Sequence, residues 1–261
     1  MGERERYTER RGRVLRCVIA TAAARNTLDQ DAVREVTAAL RSLGPEVASV
    51  LLTGSGPSFC TGGNVAQFAG AADRRAFVAG LAGELHDFVR ALVEAPVPVV
   101  AGVHGWAAGA GMSIACAADV IVGGPSTRFR PAYPSIGYSP DGGLSWTLPR
   151  AIGAARARDL LLTDGVLTGE EAYRAGLLSR LVPDEEVAAE AERIATALAG
   201  GPASALARTK RLLWAAPEAT LSDHLDAEAG AIAACADSPA GREGVAAFTE
   251  HRPPQWPAQQ P

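Results

Sequence analysis

Two glycine-rich segments constrain this chain more than any other feature: Ser58-Phe59-Cys60-Thr61-Gly62-Gly63-Asn64 and His104-Gly105-Trp106-Ala107-Ala108-Gly109-Ala110-Gly111-Met112. Each stands where an apolar strand gives way to a turn and then to a helix. Such a junction leaves backbone N–H groups without intrahelical partners, and small residues let another molecule approach them closely. Two converging junctions can hold one oxyanion between two amides, a large source of stabilisation in acyl-group chemistry. The pattern points to an enzyme that handles a thioester or a related acyl group.

The first half of the chain alternates strand and helix. Residues 14–20 read as a strand, and Asp29 opens a helix over 31–43 with Val33, Val36, Leu40 and Leu43 on one face. A short buried strand over 47–53 follows. A long helix over 72–94 carries Phe77, Leu81, Leu85, Phe88 and Leu92 as an apolar stripe, and Pro96 and Pro98 end it. Strands over 97–103 and 119–123 flank the helix that begins after Gly109. This order predicts β-α-β crossovers and a parallel sheet. Beyond Pro140 the strand signal fades. Helices are expected after Thr168 and over 184–199, 203–214, 221–235 and 239–250, so the chain divides into an α/β core (1–200) and a C-terminal helical module (201–261).

The net charge of -4 argues against a nucleic-acid partner, and every apolar run is too short to span a membrane. Arginines crowd the start (Arg4, Arg6, Arg10, Arg11, Arg13, Arg16), but Glu3, Glu5 and Glu9 interleave with them, as in a solvated edge strand. Cys17, Cys60, Cys116 and Cys235 form no CxxC pair, and three of them sit in apolar or small-residue surroundings as packed free thiols, which points to a reducing cytoplasm. No His/Cys cluster has metal-ligand spacing, and the glycine loops do not fit GxGxxG, so neither a metal nor a nicotinamide cofactor is expected.

Further segments extend the pattern: Arg25-Asn26-Thr27-Leu28-Asp29, Pro98-Val99-Val100-Ala101-Gly102-Val103-His104-Gly105, Gly137-Tyr138-Ser139-Pro140-Asp141-Gly142-Gly143, Leu148-Pro149-Arg150 and Arg252-Pro253-Pro254. With the two glycine-rich loops they span nearly the whole chain, and on them the chain resembles the crotonase superfamily, the enoyl-CoA hydratase/isomerase group. The resemblance implies an α/β crotonase (ClpP-like) spiral of ββα units, a helical C-terminal module, and a homotrimer or dimer of trimers. It implies an acyl-CoA thioester substrate, with coenzyme A as part of the substrate and no separate cofactor. It also carries the two oxyanion amides to Thr61 and Ala110. Arg25, Asn64, Lys210 and Phe248 become candidates for contacts with coenzyme A.

Departures from the family narrow the chemistry. Its hydratases place glutamates in the registers held here by Ser113 and Tyr133, and adding water needs acid and base help on both carbons. Asp141 remains. It reads either as a helix N-cap or, by similarity to the family's isomerases, as the one carboxylate that moves a proton. His86 and Tyr133 with Asp141 also match a dehalogenase-like trio, in which Asp141 would attack carbon and His86 would activate water. Residual enoyl-CoA hydration stands beside that chemistry as an alternative to double-bond isomerisation, and a catalytically silent acyl-CoA binder is the third reading. Arg130 faces either solvent or inward, where it could pair with Asp141 or with a carboxylate on the substrate. His104 is expected to make a structural hydrogen bond under the oxyanion loop.

Overall fold

The arginine-rich start forms a sheet edge. β1 (Thr8–Arg11) pairs antiparallel with β2 (Val14–Val18), and its side chains are mostly exposed. The computed structural model describes residues 7–257, so Arg4 and Arg6, with Glu3 and Glu5, lie outside the described residues. Asp29 caps α1 (Gln30–Arg41) by accepting from the amides of Asp31 and Ala32, and Val33, Val36 and Leu40 form its buried face. β3 (Ser49–Thr53) then runs parallel to β2.

A repeating unit follows. After β3 come the first glycine-rich loop, α2 (Val65–Gly70) and α3 (Arg74–Glu94), the last capped by Asp73. β4 (Val99–Val103) returns to the sheet beside β3, and β5 (Trp106–Ala108) leaves it for a second sheet. After α4 (Ala110–Ala115), β6 (Val120–Gly123) again joins the first sheet and β7 (Arg128–Arg130) the second. α5 (Leu144–Ile152) and α6 (Ala154–Thr163) precede β8 (Leu167–Thr168), which closes the second sheet. α7 (Gly169–Arg174) is fixed by a capping box between Thr168 and Glu171, and β9 (Arg180–Leu181) completes the first sheet. The sheets run β1-β2-β3-β4-β6-β9 and β5-β7-β8. Successive turns of chain thus place one strand in each sheet, which is the expected spiral.

The strands of two or three residues in the second sheet and at β9 are too short for hydrophobic alternation to reveal them. Predicted boundaries elsewhere differ from the observed ones by a few residues, where the strand or helix frays into its turn. The core lies between the sheets and helices, with Phe59, Phe88, Phe129, Met112 and Leu144 fully buried. Cys17, Cys60 and Cys116 are buried free thiols, and burial pushes each up to about 12.

The C-terminal part is helical: α8 (Val187–Ala199), α9 (Ala203–Ala215), α10 (Leu221–Ala236) and α11 (Pro239–Thr249). α8 packs Val187, Ala191 and Ala195 on the outer face of the first sheet. The last helices leave Leu213, Leu221, Ile232, Val245 and Phe248 exposed. Arg252, from the Arg-Pro-Pro segment, binds Glu243 of α11 and holds its carboxyl down at about 2. Among the described residues no helix is long and apolar enough to cross a membrane.

Candidate active site

The two glycine-rich loops lie side by side because each supplies backbone to the other. The Cys60 amide donates to Trp106 O at 3.0 Å, and the Ala108 amide donates to Cys60 O at 2.9 Å. Gly111 makes the approach possible, since a Cβ there would stand 2.3 Å from Cys60 O. Asn26 staples the first loop from a third segment: its side-chain amide donates to the carbonyls of Ser55 and Ser58. Its own carbonyl accepts from the Thr61 amide at 2.7 Å and from the Thr61 hydroxyl at 2.9 Å.

That last bond corrects one expectation. The Thr61 amide is committed to Asn26 and is not open to an oxyanion. The Gly62 amide turns to the Cys60 sulfur. Gly63 is next, and its amide has no hydrogen-bond partner among the described residues. The Ala110 amide is likewise open, at the first residue of α4, as expected of a helix start. Gly63 and Ala110 both line one cavity of about 690 Å³.

Asp141 lines that cavity too. It does not cap α5: Gly143 holds the cap position, without a side-chain bond. Instead the Tyr133 hydroxyl donates to Asp141 Oδ1 at 2.7 Å. The Ser113 hydroxyl stands 3.0 Å from the Tyr133 oxygen and 2.9 Å from the Asp141 carbonyl oxygen. Burial and the facing Asp141 carboxylate push the Tyr133 hydroxyl well above the ordinary phenol range, so it stays protonated and donates. Asp141 Oδ2 receives no hydrogen bond from the described residues. Glu84 is the other carboxylate lining the cavity, and Arg34 holds it at 2.9 Å.

Gly142 makes this turn possible. Its φ is +60°, and a Cβ there would lie 2.7 Å from Ser113 Cβ. Gly142→Ala is therefore expected to cost roughly 1–3 kcal/mol of stability and to lower activity by displacing Asp141. Urea unfolding read beside turnover checks this; unchanged values of both would show that the turn is not constrained.

The remaining candidates separate. Asn64 lines the cavity, as do Gln67, Phe68, Arg74 and Arg75. Phe68 stacks on Tyr138 with ring centroids 6.1 Å apart. His86 sits on α3 beside Leu85 but is not among the cavity-lining residues. Arg25 is exposed, in a left-handed turn with φ 55°, and is not in the cavity wall. Phe248 is 81% exposed on α11 and is likewise outside the cavity wall. Arg130 does not reach Asp141; it pairs with Asp164, whose other oxygen accepts from the Ala132 amide at 2.7 Å. His104 Nε2 bonds Gly56 O at 2.9 Å, the structural bond expected of it.

Lys210 departs most from expectation. It is 5% exposed, donates to Leu92 O at 2.7 Å and Val97 O at 3.1 Å, and pairs with Asp119 at 3.0 Å. Burial lowers its pKa, an effect Asp119 opposes. With three acceptors for three N–H donors, the ammonium is not presented to a phosphate of coenzyme A; it ties α9 to the end of α3 and the start of β4. Arg208 and Arg211 line a separate cavity with it, away from the glycine-rich loops. Lys210→Ala is expected to destabilise the fold by about 3–5 kcal/mol, because Asp119 loses its counter-charge and keeps only the neutral Val99 amide and Trp214 indole N–H as donors. A chemical-denaturation midpoint equal to that of the parent chain would refute the tie.

Two features of the site are absent from the sequence reading. The open Gly63 amide is found only by seeing that Asn26 occupies Thr61. The chain of bonds from Ser113 through Tyr133 to Asp141 joins the two positions where the family's hydratases carry glutamates to the carboxylate expected to move the proton. The register that both positions hold relative to Ala110 in the resemblance is the signal that links them.

The spiral of paired strands and the cavity between two open amides define a class of acyl-thioester enzymes. Comparison agrees: residues 9–259 match the enoyl-CoA hydratase/isomerase family, and the chain belongs to it. It is 38% identical over 231 residues to a protein of Rhodobacter capsulatus named as a probable enoyl-CoA hydratase, covering 88% of this chain and 89% of that one. It is 35% identical to the 1,2-epoxyphenylacetyl-CoA isomerase of Escherichia coli, over 80% of this chain and 81% of that one. The crystal structure of an enoyl-CoA hydratase from Polaromonas sp. JS666 superposes with a TM-score of 0.91 at 32% identity, over 96% of this chain and 98% of that one. The protein is an enzyme of this family.

Proposed function

We propose that the protein is an acyl-CoA isomerase that shifts a double bond through an enolate, with Asp141 as its single acid/base. The observation that carries the reading is the pairing of Asp141 with hydroxyls, not carboxylates, at positions 113 and 133, beside two open amides. The Gly63 and Ala110 amides hold the thioester oxygen as it gains negative charge, which acidifies C2. Asp141 takes a proton from C2 of a 3-enoyl thioester and returns it at C4, leaving the conjugated 2-enoyl thioester. Coenzyme A enters as part of the substrate, and the reaction needs no separate cofactor.

Hydration requires a water activated between two acid/base groups, and here the second group is a protonated phenol. The dehalogenase-like route needs His86 beside the water that hydrolyses an Asp141 ester, and its place outside the cavity wall lends that route no support. The exposed apolar residues of the C-terminal helices support assembly as a homotrimer or dimer of trimers. A 3-enoyl-CoA followed by the absorbance of the conjugated product tests the reading. Conjugation that depends on Asp141 supports it; tight binding without turnover across a panel of CoA thioesters favours a silent binder.

A further inference from the structure

We propose that Tyr133 is a positioning residue for Asp141, and that it leaves Oδ2 as the one oxygen that carries the proton from C2 to C4. The inference rests on Asp141 being the acid/base. Tyr133 is 8% exposed, and its hydroxyl lies 2.7 Å from Oδ1, so that oxygen is held by a donor on a buried ring. The Ser113 hydroxyl stands 3.0 Å from the phenol oxygen and donates to the Asp141 carbonyl oxygen at 2.9 Å, which ties the carboxylate and its own backbone to one network. Ser113 is itself fully buried against Gly142.

The bond suits both protonation states of Asp141. An ionised carboxylate accepts from Tyr133 at Oδ1. After abstraction the proton sits on Oδ2, and Oδ1 remains an acceptor for the same phenol. A proton placed on Oδ1 would force the Tyr133 hydrogen to turn to Ser113 Oγ, so transfer through that oxygen requires the network to rearrange. One oxygen therefore collects and returns the proton, and the network need not rearrange between the half-reactions. The carbon-bound hydrogen removed at C2 should then return to C4 in part, before it exchanges with water.

The test uses a 3-enoyl-CoA deuterated at C2, turned over in ordinary water, with label at C4 of the product read by NMR. The parent enzyme is expected to carry label to C4. Tyr133→Phe removes the hydroxyl and keeps the ring; kcat should fall about 10- to 100-fold, KM should hold, and label at C4 should drop as the freed carboxylate turns and exchanges. Ser113→Ala should move both readings the same way by less. Turnover lost with label transfer unchanged would make Tyr133 merely structural and overturn the proposal, as would a Tyr133→Phe enzyme equal to the parent in both. No label transfer in the parent would overturn the single-oxygen assignment. Asp141→Asn run in parallel separates the two layers. If it keeps full activity, the acid/base reading fails; if it is inactive while Tyr133→Phe is unaffected, only the positioning role fails.

Discussion

Asp141→Asn is expected to lower turnover of a 3-enoyl-CoA by about 10²- to 10⁴-fold, the range that general acid–base catalysis supplies. The amide keeps the size of the carboxylate and an oxygen for the Tyr133 hydroxyl, so the hydrogen bond at Oδ1 has an acceptor in the variant. What it lacks is a site that can take the C2 proton. Binding of the thioester should therefore persist, with KM close to the parent value while kcat collapses. Arg34 holds Glu84 at Oε1 only, and its Oε2 is buried without a hydrogen-bond partner, so residual turnover in the variant would point to that carboxylate. Steady-state kinetics on the conjugation assay decide the matter. Parent-level turnover in the variant would remove Asp141 from the chemistry and return the question to another group in the cavity.

The second large effect concerns the oxyanion. Ala110 is the first residue of α4, where proline is well tolerated because that position needs no intrahelical N–H. Ala110→Pro deletes one of the two open amides with little demand on the helix, and it puts a ring carbon where the N–H stood. Loss of one oxyanion donor costs about 10²- to 10³-fold in kcat, and the ring carbon adds to that loss. A parallel measurement of the unfolding midpoint keeps the result readable: a folded variant with lost turnover supports the role of the amide. A folded variant that turns over like the parent would take Ala110 out of the oxyanion site. The same experiment at Thr61 is less informative, since its amide already donates to Asn26.

The two substitutions probe different halves of one device. The amides stabilise the negative oxygen and Asp141 handles the proton, so each variant should fail at the same chemical step; Asp141→Asn should still bind thioester, whereas the proline ring carbon should weaken binding as well. The segment from Arg130 to Tyr133 joins the halves. The carbonyl of Arg130 accepts the Gly109 amide at 3.0 Å, just before Ala110, and three residues later Tyr133 reaches Asp141. Asp164 fixes this segment through Ala132 and Arg130.

Local signals in the chain were enough for the repeating strand-to-helix order, the Asp29 cap, the apolar stripe of α3 and the glycine loops, because each depends on neighbours a few residues away. That Ser113 and Tyr133 stand where the family's hydratases carry glutamates followed from the resemblance, which supplied the register for the comparison. Tertiary structure decided the rest. Whether Thr61 or Gly63 offers its amide depends on the Asn26 carbonyl, which comes from another turn of the chain. Lys210 looks like part of a solvated basic helix face, yet its partners Leu92, Val97 and Asp119 lie on distant segments. Asp141 reads equally well as a cap or a base until Tyr133 and Ser113 are brought against it. Sequence patterns report which groups can form an element; only packing sets which donor meets which acceptor, because those bonds join residues far apart along the chain.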